Sequence, residues 1–406
     1  MPHNPSLLMI LRSFLALGLT SFGGPVAHIG YFRRLFVEQR QWISSDAFQS
    51  LFGLCQMLPG PSSSQLGFAL GLRWGGLAGG CLAFIGFTLP SAMIMIGFGY
   101  GLVNFGADLD RLIDALKLVT AAVVLHAVFG MARGFALGMF TSLFAIAMMG
   151  IALFLNMPFL HPLFILIFGF MGFLLLADQP SGHDMQADQY SSNAPYRSQL
   201  MPLIWLWLFA ALLAGMLLMA HLMPDSIWFA LSQFYLAGSL VFGGGHVVLP
   251  LLQASVVETE LVSLADFLAG YGMAQVIPGP LFTFGGFLGA VMGTNMGIST
   301  STGMGAIWLG VLTMLTLFLP SFLLLLGVLP FWDGWMQSRR FRAGLAGINA
   351  AVVGLLAAVL IDPILMSAIH NSYDAMIVIA GFLVLISARL NTGIIVLGLV
   401  LAGWFI

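Results

Sequence analysis

The stretch QMLPGPSSSQ, residues 56–65, returns in the second half of the chain as QVIPGPLFTF, residues 275–284. Each copy sets a Gln before two apolar residues and Pro-Gly-Pro, and Gln56 and Gln275 lie 219 positions apart. Proline removes a backbone N–H and clashes with the preceding turn, so each Pro-Gly-Pro interrupts a helix. Other matches follow in the same order. Phe22-Gly23-Gly24 pairs with Phe242-Gly243-Gly244, and Val37-Glu38 with Val257-Glu258, at an offset of 220. Phe48 pairs with Phe267 and Phe68 with Phe287, at 219. Leu89-Pro90-Ser91 pairs with Leu319-Pro320-Ser321 at 230, after an insertion rich in Gly, Ser and Thr near residues 297–305. Ala121-Ala122-Val123-Val124 pairs with Ala350-Ala351-Val352-Val353 at 229. Such an ordered series marks an internal duplication.

The surroundings of these breaks are those of a membrane protein. Of 406 residues, 60% are hydrophobic and 7% charged. A soluble domain carries about a quarter charged residues, so this chain cannot cover a globule with a wetted surface. Residues 75–101 and 135–155 hold no Asp, Glu, Lys or Arg over lengths that span hydrocarbon. The apolar runs are continuous rather than alternating, which excludes a membrane β-barrel and predicts an all-α polytopic fold. Lys117 is the single lysine and no Gly-rich loop precedes it, which excludes a Walker A nucleotide site. Cys55 and Cys81 lie in apolar stretches, and the eight His show no ligand spacing, so neither a disulfide framework nor a metal or cofactor is expected. The net charge of −2 points to no partner, nucleic acid included. No basic region precedes Leu7, so the N-terminus does not read as a cleavable signal.

Four segments follow: a first transmembrane repeat (1–177), a polar linker (178–199), a spanning helix without counterpart (200–224) and a second repeat (225–406). Short basic loops stay cytoplasmic, and their distribution sets the orientation. Arg33, Arg34 and Arg40 follow the first Phe-Gly-Gly, whereas the matching stretch has no basic residue and carries Glu258 and Glu260. The next loop reverses the bias: Asp108 and Asp110 stand in the first half, Arg339, Arg340 and Arg342 in the second. The two halves are therefore expected as inverted-topology repeats. Each would hold two helical hairpins, broken at Gly-Gly and at Pro-Gly-Pro; in the first half these cover residues 7–39 and 45–73. Reading the hairpins as short full spans changes the helix count and keeps the inversion.

Broken backbone inside hydrocarbon is tolerated where it is buried in protein or lines a wet cavity. Inverted repeats whose interrupted helices meet at the midplane are a recurrent transporter plan, with the substrate held at the half-helix ends. Gln56, Pro59, Gly60, Pro61, Ser62, Ser63 and Ser64 form the first candidate cluster. Gln275, Pro278, Gly279, Pro280 and Thr283 form the second. Three serines at a helix start set hydroxyls beside free N–H groups, a place that suits an anion. The second copy offers one hydroxyl, so an anion site is expected to lean on the first half. Gly23, Gly24, Gly243 and Gly244 mark the second break in each half, or serve close helix packing. Arg73 ends the helix that begins at Pro61, where it could pair with an oxyanion or act as a cytoplasmic anchor. Glu38, Glu258, His28 and His246 are candidates for coupling proton movement, with interfacial anchoring as the alternative for the two glutamates.

Phe22-Gly23-Gly24-Pro25, Trp42, Phe48 and Gln56 through Pro61 resemble the chromate ion transporter family of bacterial membrane proteins. Phe242 through His246, Gln275 through Pro280 and Gly347-Ile348-Asn349-Ala350-Ala351-Val352 continue the likeness over nearly the whole chain, in the family's long two-domain form. Pro61-Ser62-Ser63-Ser64 departs from a more apolar continuation. The resemblance implies a multi-pass protein of a bacterial inner membrane that exports chromate on the membrane potential or proton gradient, with sulfate as competitor. A sulfate or other oxyanion transporter, a passive anion channel and an intramembrane enzyme are the competing readings. The sequence leaves a homodimer open.

Overall fold

A computed structural model describes residues 5–22, 24–105, 110–134, 138–155, 160–176, 200–224, 226–241, 248–296, 304–331, 338–387, 395 and 398–399. Gly23, Gly243, Gly244, His246, Asp108, Arg389 and the whole expected linker lie outside these residues. All regular structure among the described residues is helical.

The first repeat runs through α1 (Leu7–Thr20), α2 (Gly24–Phe32) with a π-type extension (Arg33–Gln39), α3 (Ser45–Met57) and α4 (Ser62–Phe105). It ends in α5 (Asp110–Gly134), α6 (Met139–Phe154) and α7 (His161–Leu175). After α8 (Leu200–Leu222) the order returns as α9 (Ile227–Leu240), α10 (Val248–Val256), α11 (Leu264–Val276), a 3₁₀ turn (Leu281–Thr283), α12 (Phe284–Asn295) and α13 (Met304–Val328). A 3₁₀ turn (Leu329–Phe331), α14 (Arg339–Val359) with a π-type extension (Leu360–Leu365) and a short turn (Met366–Ala368), and α15 (Ser372–Ser387) follow.

α4 is two arms. Gly75 and Gly76 leave helical geometry, Gly76 with φ of 61°, and the chain folds back on itself. A side chain at Gly71 would strike the backbone of Gly79 and the methyl of Ala83, so glycine is what lets the arms touch. Gly71 and Gly79 make this contact, whereas Gly67 faces Phe14 and Phe32 and Gly75 faces Leu7 and Ile10. α3 and the first arm thus form a short hairpin, and residues 77–105 make the long helix after it. The pieces before the fold-back are short: α1 has 14 residues and α3 has 13. At about 1.5 Å per residue neither crosses a hydrocarbon layer of about 30 Å.

The duplication extends to backbone detail. Ser44 caps α3 and Ser263 caps α11, each accepting from the N–H three residues on. Gln41 and Glu260 both take the left-handed conformation just before, at φ of 52° and 59°. α3 ends at Leu58 (φ −77°, ψ 147°) and α11 at Ile277 (φ −82°, ψ 150°). Gly60 and Gly279 follow with φ of 125° and 107°.

The halves are interleaved around one aromatic core. Phe68 of the first half stacks on Phe322 of the second at 4.6 Å, and Phe287 on Phe98 at 5.5 Å. Phe84 meets Phe318 and Phe322 edge-on, both at 4.9 Å. Thr120 of α5 donates to the Leu268 carbonyl of α11. α8 lies on the outside against α9 and α13, and no residue in its most apolar 18-residue stretch is fully buried. Among the described residues five helices are long and apolar enough to cross a membrane.

Candidate substrate site where the two broken hairpins meet

Each Pro-Gly-Pro loop docks on the other half. The Gly60 N–H donates to the Val241 carbonyl at 2.6 Å, and the Gly279 N–H donates to the Ser21 carbonyl at 3.0 Å. Ser21 and Val241 are themselves equivalent: they end α1 and α9 with nearly the same backbone angles. The two bonds are thus copies of one bond, exchanged between halves as a two-fold relation requires. The seats are equivalent too. A side chain at Gly60 would overlap Ser321, and one at Gly279 would meet the Ser91 hydroxyl at 2.6 Å.

Ser91 and Ser321 close the Leu-Pro-Ser kinks in α4 and α13. Pro90 and Pro320 break the hydrogen-bond ladder there. Each serine hydroxyl turns back onto the carbonyl three residues earlier, Thr88 and Phe318 respectively. The same kinks receive α1 and α9 at closest approach, where Gly18 abuts the Phe87 carbonyl and Gly238 the Leu317 carbonyl. One kink therefore holds a helix of its own half and the Pro-Gly-Pro loop of the other.

The serine-bearing helix start is at this junction. Ser62, Ser63 and Ser64 are buried, and the first backbone bond of α4 runs from the Gln65 N–H to the Pro61 carbonyl. A helix leaves its first N–H groups without acceptors in the helix, so this start presents donors into a dry interior. Fixed positive dipoles with little water to screen them favour an anion. The second copy is built differently. Its Thr283 hydroxyl and N–H both bond the Pro280 carbonyl, tightening the start into the 3₁₀ turn and using the donors locally. The two helix starts thus differ in how their hydroxyls and N–H groups are used.

Gln65, which the sequence reading passed over, is fully buried and holds the first loop together. Its amide nitrogen donates to the Pro59 carbonyl at 2.9 Å and to the Ser321 carbonyl at 3.2 Å. Its position matches Phe284, so the alignment of halves hid it; a lone Gln in an apolar helix was the available signal. Ser21, Ser91 and Ser321 were missed as well, although the repeated Leu-Pro-Ser pointed at two of them. Among the described residues, five of the seven buried side-chain polar atoms without a partner lie on the same elements: the hydroxyls of Ser21, Ser64 and Thr88, the Gln65 carbonyl oxygen and the Gln275 amide nitrogen. Leaving such a group unmet costs about 1–3 kcal/mol each, a reserve that a polar ligand can recover.

The other candidates are dispersed. Gln56 is exposed whereas Gln275 is half-buried, so the matched glutamines occupy unlike surroundings. Arg73 is exposed near the far end of the first arm, about 16 Å from Ser62 along the helix. Gly24 opens α2 with φ of 74°. Glu38 pairs loosely with Arg33 at 3.7 Å, both exposed. At the matching hairpin end Glu258 is exposed too, yet desolvation by the protein around it pushes its carboxyl up from 4.5 to about 7. His28 is buried at the junction itself, within 3.3 Å of the Ser63 hydroxyl and 3.2 Å of the Ser21 carbonyl.

Two repeated halves, joined through their broken helices around a buried polar centre, define a multi-pass membrane transporter. The chain belongs to the chromate transporter family, whose model matches residues 8–173 and 228–404. It is 28% identical over 418 residues to a chromate transport protein of Pseudomonas aeruginosa, covering 100% of this chain and 94% of that one. An uncharacterized transporter of Methanocaldococcus jannaschii is 26% identical over 408 residues, covering 100% and 95%. A chromate transport protein of Cupriavidus metallidurans is 25% identical over 417 residues, covering 98% and 92%. No solved structure matches the chain.

Proposed function

We propose that the chain exports chromate from the cytoplasm, drawing on the proton-motive force, and that the anion is held at the start of α4. The carrying observation is the reciprocal docking of the two Pro-Gly-Pro loops, which sets the N–H groups of Ser62, Ser63 and Ser64 at the seam between the halves. Gly60 and Gly279 act as paired hinges there, and rocking of one half on the other alternates access to the seam. Arg33, Arg34, Arg40 and Arg73 mark the cytoplasmic face, from which the anion enters. Sulfate, a tetrahedral dianion like chromate, competes for the same donors. The relatives named for chromate transport support this cargo. In the bacterial inner membrane the apolar face of α8 meets lipid.

Uptake of labelled chromate into everted membrane vesicles tests the proposal. Accumulation above the external concentration, abolished by an uncoupler and competed by sulfate, is the expected result. Equilibration indifferent to the uncoupler would make the protein a passive channel, and absence of uptake by well-expressed protein would remove chromate as cargo.

A further inference from the structure

We infer that His28 is a proton-operated switch that sets whether Ser63 can donate a hydrogen bond to the anion, an inference that rests on the site just proposed. The His28 ring is fully buried, with Nε2 3.2 Å from the Ser21 carbonyl, Nδ1 3.3 Å from the Ser63 hydroxyl and Phe87 edge-on at 5.2 Å. A carbonyl oxygen only accepts, so Nε2 carries the hydrogen of that bond. In a neutral imidazole the other nitrogen then offers only a lone pair, and Ser63 must donate to it. A serine hydroxyl has one hydrogen. While His28 holds it, Ser63 turns only lone pairs toward the helix start, and lone pairs repel an oxyanion.

Protonation reverses that bond. Nδ1–H then donates to the Ser63 oxygen, the serine hydrogen is released toward the anion, and a positive charge stands behind it. One proton is taken up for each anion held, and only hydrogen bonds change. A dianion carried with this proton moves one net negative charge. The Ser21 carbonyl that anchors Nε2 also accepts the Gly279 N–H, so the switch is fixed to the loop of the opposite half. The second half has no such device: Val248 matches His28 and Phe282 matches Ser63.

Among the described residues the ring nitrogens of His28 meet Ser21 and Ser63. Titratable groups on the elements packed against α2 are Arg73, Cys81 and Tyr100 of α4, Arg12 of α1, and Arg33, Arg34 and Glu38 of the π-type extension, with Tyr31 on α2 itself. The four arginines and Glu38 are exposed, and the groups against the ring are Ser21, Ser63 and Phe87.

The test is chromate binding to the purified full chain in lipid nanodiscs, across pH, for wild type and His28→Gln. Chromate's own protonation contributes equally to both proteins, so the difference between their slopes is the reading. Where the histidine titrates, wild-type affinity should fall with rising pH by up to about tenfold per unit more steeply than that of the variant. Ser63→Ala should show the variant's shallow slope. Calorimetry in two buffers of different ionisation enthalpy should count about one proton taken up with chromate by the wild type beyond chromate's own titration at that pH, which needs no variant to fold. Equal slopes, or no extra proton, overturn the switch while leaving chromate binding intact. Folded wild type that binds no chromate at any pH overturns the proposed site and the switch together.

Discussion

A methyl group at Gly60 probes the junction most sharply. Gly60 has a φ of 125°, which L side chains rarely adopt, and the strain of Gly60→Ala is about 1–3 kcal/mol. The added carbon would also overlap the Ser321 Cβ, and relief by backbone shift costs about another 1–3 kcal/mol. Any such shift lengthens the 2.6 Å bond from Gly60 to Val241. The sum, roughly 2–6 kcal/mol, is large against a stability of about 5–15 kcal/mol, so a clear fall in melting temperature and in vesicle uptake is expected. Ser321→Gly removes the overlap and leaves the strain. The double variant should therefore recover about 1–3 kcal/mol, read as a coupling energy. Gly279→Ala should be milder, because its Cβ first meets the rotatable Ser91 hydroxyl at 2.6 Å. Normal melting and uptake in Gly60→Ala, or no recovery from Ser321→Gly, would refute the docking argument.

Three further outcomes are expected. Gln65→Leu strips the donor from the Pro59 and Ser321 carbonyls, and should lower stability by about 1–3 kcal/mol and reduce uptake, measured by melting and vesicle assay. Glu258 holds its proton more tightly in the fold than in the unfolded chain, so its contribution to stability falls as pH rises from about 4.5 to about 7; Glu258→Gln should flatten the melting temperature over that window. Arg73→Gln, a substitution at an exposed position away from the helix start, should change chromate affinity by no more than about twofold by calorimetry.

The duplication was legible because Pro-Gly-Pro and Phe-Gly-Gly appear twice in the same order. The fold-back at Gly75 and Gly76 was legible as the end of one hairpin and the start of a long span. The exchange of loops between halves was not. Gly60 meets Val241 and Gly279 meets Ser21 through backbone groups, which carry no signature in residue type. Gln65 escaped because comparing halves rewards matched positions, and its counterpart is Phe284. Arg73 drew attention as a charge near the motif, yet about three helical turns separate it from the serines. Gln56 and Gln275 show the opposite limit, since identical placement in sequence gives one exposed side chain and one half-buried.

The central claim is that chromate sits where the loops of the two halves cross. Anomalous scattering from chromium in crystals of the chromate-bound full chain tests it directly. The account predicts one dominant chromium peak within hydrogen-bond reach of the N–H groups of Ser62, Ser63 and Ser64, lost in Ser63→Ala crystals grown at equal chromate. A dominant peak elsewhere, beside Arg12 and Arg40 at the exposed end of α1 for instance, with none at the start of α4, would contradict it.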